Sequence, residues 1–192
     1  MKNREDAWRL LTEYTQSESL RKHAMSVEVC MRAYARKFGE DEELWGMTGL
    51  LHDFDYEKHP SPEEHPWIGN KILREHGYPE ELMHAIMGHA EYTNTPRVSR
   101  MDRALFACDE LSGFITATAL VKPSKSVREV DAKSIRKKMK DKAFARGVNR
   151  EDIIQGAAEL EIDLDEHIAF CIDAMTQAAE SLGLAGASPI SA

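Results

Sequence analysis

Apolar residues in this 192-residue chain recur at intervals of three and four, and no stretch alternates apolar with polar long enough for a half-buried strand. That periodicity confines it to an all-α fold. Trp8, Leu11 and Tyr14 form a short first stripe, and Leu20, His23, Ala24, Val27, Met31 and Ala35 form a second that closes at Gly39. Glu42 to Leu51 reads as a third helix whose last turn delivers His52 and Asp53, and Pro60 and Pro62 forbid simple continuation. Ser61-Pro62-Glu63-Glu64 has the marks of a helix start, which places His65 in a first turn and carries the helix to Gly77. Pro79-Glu80-Glu81 opens the next helix, with Leu82, Ile86 and His89. A long apolar segment over residues 101–121 follows. Beyond the break Lys122-Pro123-Ser124-Lys125, Asn149 with Asp152 caps one helix and residues 163–182 form the last.

Length suits one domain: residues 1–121 as the main unit, 122–184 as a C-terminal helical extension packed on it, and 185–192 as a disordered tail. Three cysteines, Cys30, Cys108 and Cys171, are odd in number and lack CxxC spacing, which argues against a disulfide framework or zinc ribbon and for a reducing cytoplasm. The polar N-terminus and the absence of an apolar run of 18 residues argue against a signal peptide and a membrane span. With 33 acidic against 25 basic residues, the net charge of -8 disfavours extended nucleic acid as a partner. The segment from Lys133 to Arg146 runs the other way, with seven cations against Asp141 alone. It reads as a solvated helix face, or as a source of cations that reach over a site to hold an anionic substrate.

The chemistry gathers around His52-Asp53. His23, His65, His89 and Asp109 each fall in a segment that otherwise reads as an amphipathic helix, and Asp109 sits beside Leu105, Phe106 and Cys108. A carboxylate in a core stripe is costly unless a cation or hydrogen-bond donors compensate it. Imidazole and carboxylate are ordinary ligands for iron, manganese or zinc. Neighbours on a helix diverge by about 100°, so His52 and Asp53 share a metal only at a helix end or where the carboxylate bridges two ions. The spacing therefore assigns His23, His52, Asp53 and Asp109 to one divalent ion, and Asp53, His65 and His89 to a second. His59, His76, His84 and His167 read as core or surface residues, and Trp45, Trp67 and Phe114 as core aromatics.

The ordered set His23, His52-Asp53, Asp109 resembles the HD-domain superfamily of metal-dependent phosphohydrolases, and His65 and His89 resemble its dinuclear, HDIG-like branch. Leu50-Leu51-His52-Asp53-Phe54-Asp55, His65-Pro66-Trp67-Ile68-Gly69 and Ala85-Ile86-Met87-Gly88-His89 carry the likeness, which spans about residues 17–121. The resemblance implies a helical bundle with the metals between helices. It also implies hydrolysis of a nucleotide or other small phosphate ester by a metal-activated hydroxide, with Asp53 and His52 as catalytic residues. The ions would be iron or manganese, with magnesium, cobalt, nickel or zinc as alternatives. Many relatives follow the dyad with Ile-Gly-Lys, whose Lys contacts phosphate. Here Phe54-Asp55-Tyr56 stands instead, leaving Lys58, Lys122, Lys125 and Arg146 as candidates to hold substrate oxyanions. The Gly-Tyr-Pro and His-His-Glu signature of the cyclic-dinucleotide branch is not met. Two other readings stay open: a di-iron oxygenase of the same superfamily, and a metal-stabilised module that senses a nucleotide without chemistry.

Overall fold

The computed structural model describes residues 2–186. Among these it is all-α, ten helices joined by turns, with a single isolated β-bridge between Ser126 and Ala185. Among the described residues no helix is long and apolar enough to cross a membrane.

Local chemistry sets the boundaries. Helix α1 (Arg4–Tyr14) starts at a capping box of Asn3 and Asp6, and α2 (Glu18–Phe38) starts at Ser17 and stops at Gly39, whose φ of +72° is cheap only for glycine. Helix α3 (Glu42–Leu51) is apolar all round, with every residue from Trp45 to Leu51 buried, as a helix at the centre of a bundle must be. Gly49 lets it lie close against α2, since a Cβ there would come within 3.0 Å of the Glu28 backbone. Against it stand α5 (Glu80–His89) and the long α6 (Arg100–Leu120), which packs on α2 and α5, while α4 (Trp67–Glu75) packs on α5. Helices α7 (Ala132–Met139), α8 (Arg150–Glu159), α9 (Leu164–Gln177) and α10 (Ala179–Leu182) cover the other side of α6 and α2. Cys30, Cys108 and Cys171 are free thiols buried in this core.

Four expectations need correction. The segment from Ser61 to Pro66 is a series of turns, and α4 begins only at Trp67, so His65 precedes the helix. Ser61 Oγ does meet Glu64 Oε2, at 3.3 Å, but Pro66 has no N–H to offer the carbonyl one turn back, and the helical ladder cannot pass through it. Trp67 is half exposed, because α4 turns Gly69, Asn70 and Leu73 inward and Trp67 lies off that stripe; Trp45 and Phe114 are core as expected. The last helix breaks at Ala178 into α9 and α10. Ala185, placed in the tail by the sequence, is tied to Ser126 both by the bridge and by the Ser126 hydroxyl at 3.1 Å; residues 187–192 lie outside the described residues.

Candidate metal centre

Five segments converge on one point between α2, α3, α5 and α6. Helix α2 supplies His23, the end of α3 supplies His52 and Asp53, the turns before α4 supply His65, the last residue of α5 is His89, and the middle of α6 carries Asp109. Their ligand atoms form two groups, His23, His52 and Asp109 in one, and Asp53, His65 and His89 in the other, each within 4.8 Å.

In the first group Asp109 Oδ1 lies 2.9 Å from His23 Nε2 and 3.4 Å from His52 Nε2. In the second, Asp53 Oδ1 lies 3.1 Å from His65 Nε2 and 3.3 Å from His89 Nε2, and the two imidazole nitrogens are 3.4 Å apart. The other oxygen of Asp53, Oδ2, faces His52 Nε2 at 3.5 Å. One carboxylate thus turns an oxygen to each group.

The far side of each ring fixes where its lone pair points. His52 Nδ1 donates to the Gly49 carbonyl at 2.7 Å, and His89 Nδ1 donates to the Ile86 carbonyl, because a carbonyl can only accept. His65 Nδ1 donates at 2.8 Å to Asp55 Oδ1, and Asp55 Oδ2 accepts from the Gly69 N–H at 2.8 Å. With Nδ1 protonated, each neutral ring presents a bare Nε2 lone pair to carboxylate oxygens that are also acceptors. His52 Nε2 is wholly buried and has no hydrogen-bond partner. Acceptors that converge without a donor between them are costly unless a cation fills the point they share, so the donor set fits divalent metal at both groups.

Without metal the charges take another form. Burial alone would lower His65, but hydrogen bonds to Asp53 and Asp55 outweigh it and push the ring up to about 9. Burial opposes ionisation of Asp53 and Asp109 too, yet the imidazoles beside them hold both well below the usual carboxylate range.

The groups open into a cleft of about 560 Å³ walled also by Tyr56, Tyr92, Glu110, Asn149 and Asp152. No Lys or Arg lines it. Burial, and after it the charge of Asp109, raises Glu110 to about 7. The four cations expected to hold substrate stand elsewhere. Lys58 donates to the Glu13 carbonyl at 3.2 Å and lies over the Tyr14 ring, Lys122 and Lys125 belong to the turn after α6, and Arg146 is exposed on the loop before α8. Nearness in sequence to the dyad did not fix the direction of Lys58. The remaining histidines lie apart: His84 against Asp102 at 3.1 Å, His59 against Glu64, His76 at the end of α4, and His167 in the core between Tyr34 Oη and the Ala107 carbonyl.

The family model described as HD domain matches residues 20–176. The chain belongs to the HD-domain family. The match runs past residue 121, so α7 and α8 and most of α9 belong with the family's fold, and α8 with the residue before it supplies Asn149 and Asp152 to the cleft wall. HD-domain membership brings divalent-metal binding and a phosphohydrolase superfamily with it. Among curated relatives, a Ribonuclease Y from Desulfotalea psychrophila is 28% identical over 106 residues, 55% of this chain and 20% of that protein. Another Ribonuclease Y, from Oleidesulfovibrio alaskensis, is 31% identical over 98 residues, 50% of this chain and 18% of its own length. The chain therefore spans about a fifth of these relatives. No solved structure matches significantly.

Proposed function

We propose that this HD-domain protein is a dinuclear metal-dependent phosphohydrolase acting on a small phosphate ester, with His23, His52 and Asp109 holding one ion, His65 and His89 the other, and Asp53 reaching both. The observation that carries this reading is Asp53 itself, one oxygen turned to each cluster of donor-free acceptors. Two divalent ions held there, iron or manganese by preference, would supply a nucleophilic hydroxide at neutral pH and offset charge on the phosphoryl oxygens. The chain's own residues do the positioning. The Gly49 and Ile86 carbonyls and the Asp55 carboxylate lock three imidazoles with Nε2 forward, which keeps the ligands in place while substrate enters and leaves.

The cleft's lining favours a substrate of low charge. Asp152 and the partly ionised Glu110 repel a polyanion, and no Lys or Arg in the wall offsets them. The ribonuclease names of the relatives support phosphate-ester chemistry, while the acidic wall argues for a small ester here.

The test is an assay of protein purified without chelator and loaded with Mn, Fe, Co or Mg, on nucleotides, sugar phosphates, alkyl phosphates and an RNA oligonucleotide. Expected is phosphate release from monoesters, abolished in His52→Ala and Asp53→Ala. No turnover with any metal would overturn the reading. Turnover that requires iron and consumes dioxygen would replace it with an oxygenase.

A further inference from the structure

A second hollow, of about 420 Å³, adjoins the metal cleft and shares His23 and Gly113 with it. It runs between α2, α6 and the chain around the end of α10, and its wall is mainly apolar, with Leu120, Leu182 and Leu184 facing Thr116. The charged residues at its rim, Glu18 and Lys22, pair with each other at 2.7 Å and so offer no net charge to an occupant.

Two features mark the hollow as more than a packing gap. Gly113 sits in the interior of α6, where glycine costs up to about 1 kcal/mol relative to alanine, yet its backbone is helical and needs no glycine. A Cβ there would stand 3.8 Å from the His23 ring, in the passage that joins hollow and cleft. Leu120 is 49% exposed at the outer end, a large apolar side chain left uncovered among the described residues.

We propose that this hollow receives the organic group of the ester: an uncharged, aliphatic group of several carbons that leaves the cleft past His23 and Gly113 while the phosphate stays at the metals. The proposal rests on the phosphohydrolase reading and narrows it to hydrophobic phosphomonoesters over nucleotides, whose polar, charged bodies gain nothing from an apolar wall.

The experiment is calorimetric titration of the intact, manganese-loaded protein with methyl-, butyl-, hexyl- and octylphosphonate, whose C–P bond resists hydrolysis. Affinity is expected to rise about fourfold for each added methylene until the hollow is full. Thr116→Trp, which fills it, and Leu120→Glu, which makes its mouth polar at an exposed position, should each flatten that dependence, with metal content measured alongside. Methylphosphonate binding with no chain-length dependence in the wild type would overturn the proposal and leave the metal reading standing. A dependence that persists in both variants would overturn it as well, by placing the alkyl group elsewhere. Failure of every phosphonate to bind would overturn the proposal together with the reading it rests on.

Discussion

At the scale of single residues, Asp55 is the group on which the second cluster turns, although it is not itself one of the six expected ligands. It is 1% exposed and spends both oxygens on orientation, one on His65 and one on the Gly69 N–H. Asp55→Asn should weaken metal at the His65–His89 cluster about 10- to 100-fold, read by metal titration, while the His23 cluster keeps its affinity. Gly69→Ala should do the same from the other side: alanine is the better helix former by up to about 1 kcal/mol, but its Cβ would fall 2.6 Å from Asp55 Cγ and expel the carboxylate. His23, His52, His89 and Asp109 were legible because each is a polar residue in or at the end of an apolar stripe, and Asp53 and His65 because they complete the motifs that resemble the HD domain. Asp55 was not, since an acid two positions after the dyad and followed by an exposed Tyr56 reads as part of a polar turn. Protons report on the same group. In metal-free protein His65 titrates near 9 against an unfolded value of about 6.5, so its contribution to stability is complete below about pH 6.5 and is lost as pH rises through 9. Metal must displace that proton. Binding at pH 7.5 should release at least one proton, and affinity should climb toward pH 9; calorimetry in buffers of different ionisation enthalpy measures both, and binding without proton release would contradict the assignment.

Among the elements, the connection from α5 to α6 holds the end of α5, and with it His89, against α8. Arg97 is the pin. Its guanidinium pairs with Glu159 through two bonds of 2.7 Å, reaches Glu91 and the Gly88 carbonyl, and lies 3.6 Å over the Phe106 ring. Arg97→Ala should cost on the order of 3 kcal/mol in chemical denaturation, the lower end for a buried pair because Glu159 is partly exposed. Arg97→Lys should recover little of it, since an ammonium cannot serve the planar fork. Helix starts and stops with side-chain or glycine signals were readable in advance: α2 to Gly39, α3 to Leu51, α8 from Asn149. The start of α4 was misread because a capping motif was weighed and the second proline after it was not. The break at Ala178 has no Pro, Gly or capping side chain to announce it.

For the molecule as a whole, the net charge of -8 and the cation-free cleft belong together: in the dinuclear reading the positive charge of the centre would come from the metals, and the seven Lys and Arg between Lys133 and Arg146 lie outside the cleft lining. The all-α architecture follows from periodicity. What periodicity could not show is that α8, from the part read as an appendage, helps wall the site, because long-range packing leaves no mark in the spacing of residues within one helix. The account's central claim is that two ions share Asp53. Elemental analysis of protein prepared without chelator and equilibrated with manganese or iron measures it directly, alongside His65→Ala and Asp53→Ala. The account predicts two ions per chain in the wild type, one in His65→Ala, and at most one, weakly held, in Asp53→Ala. A wild-type protein with no bound ion, or two ions retained without Asp53, would contradict it.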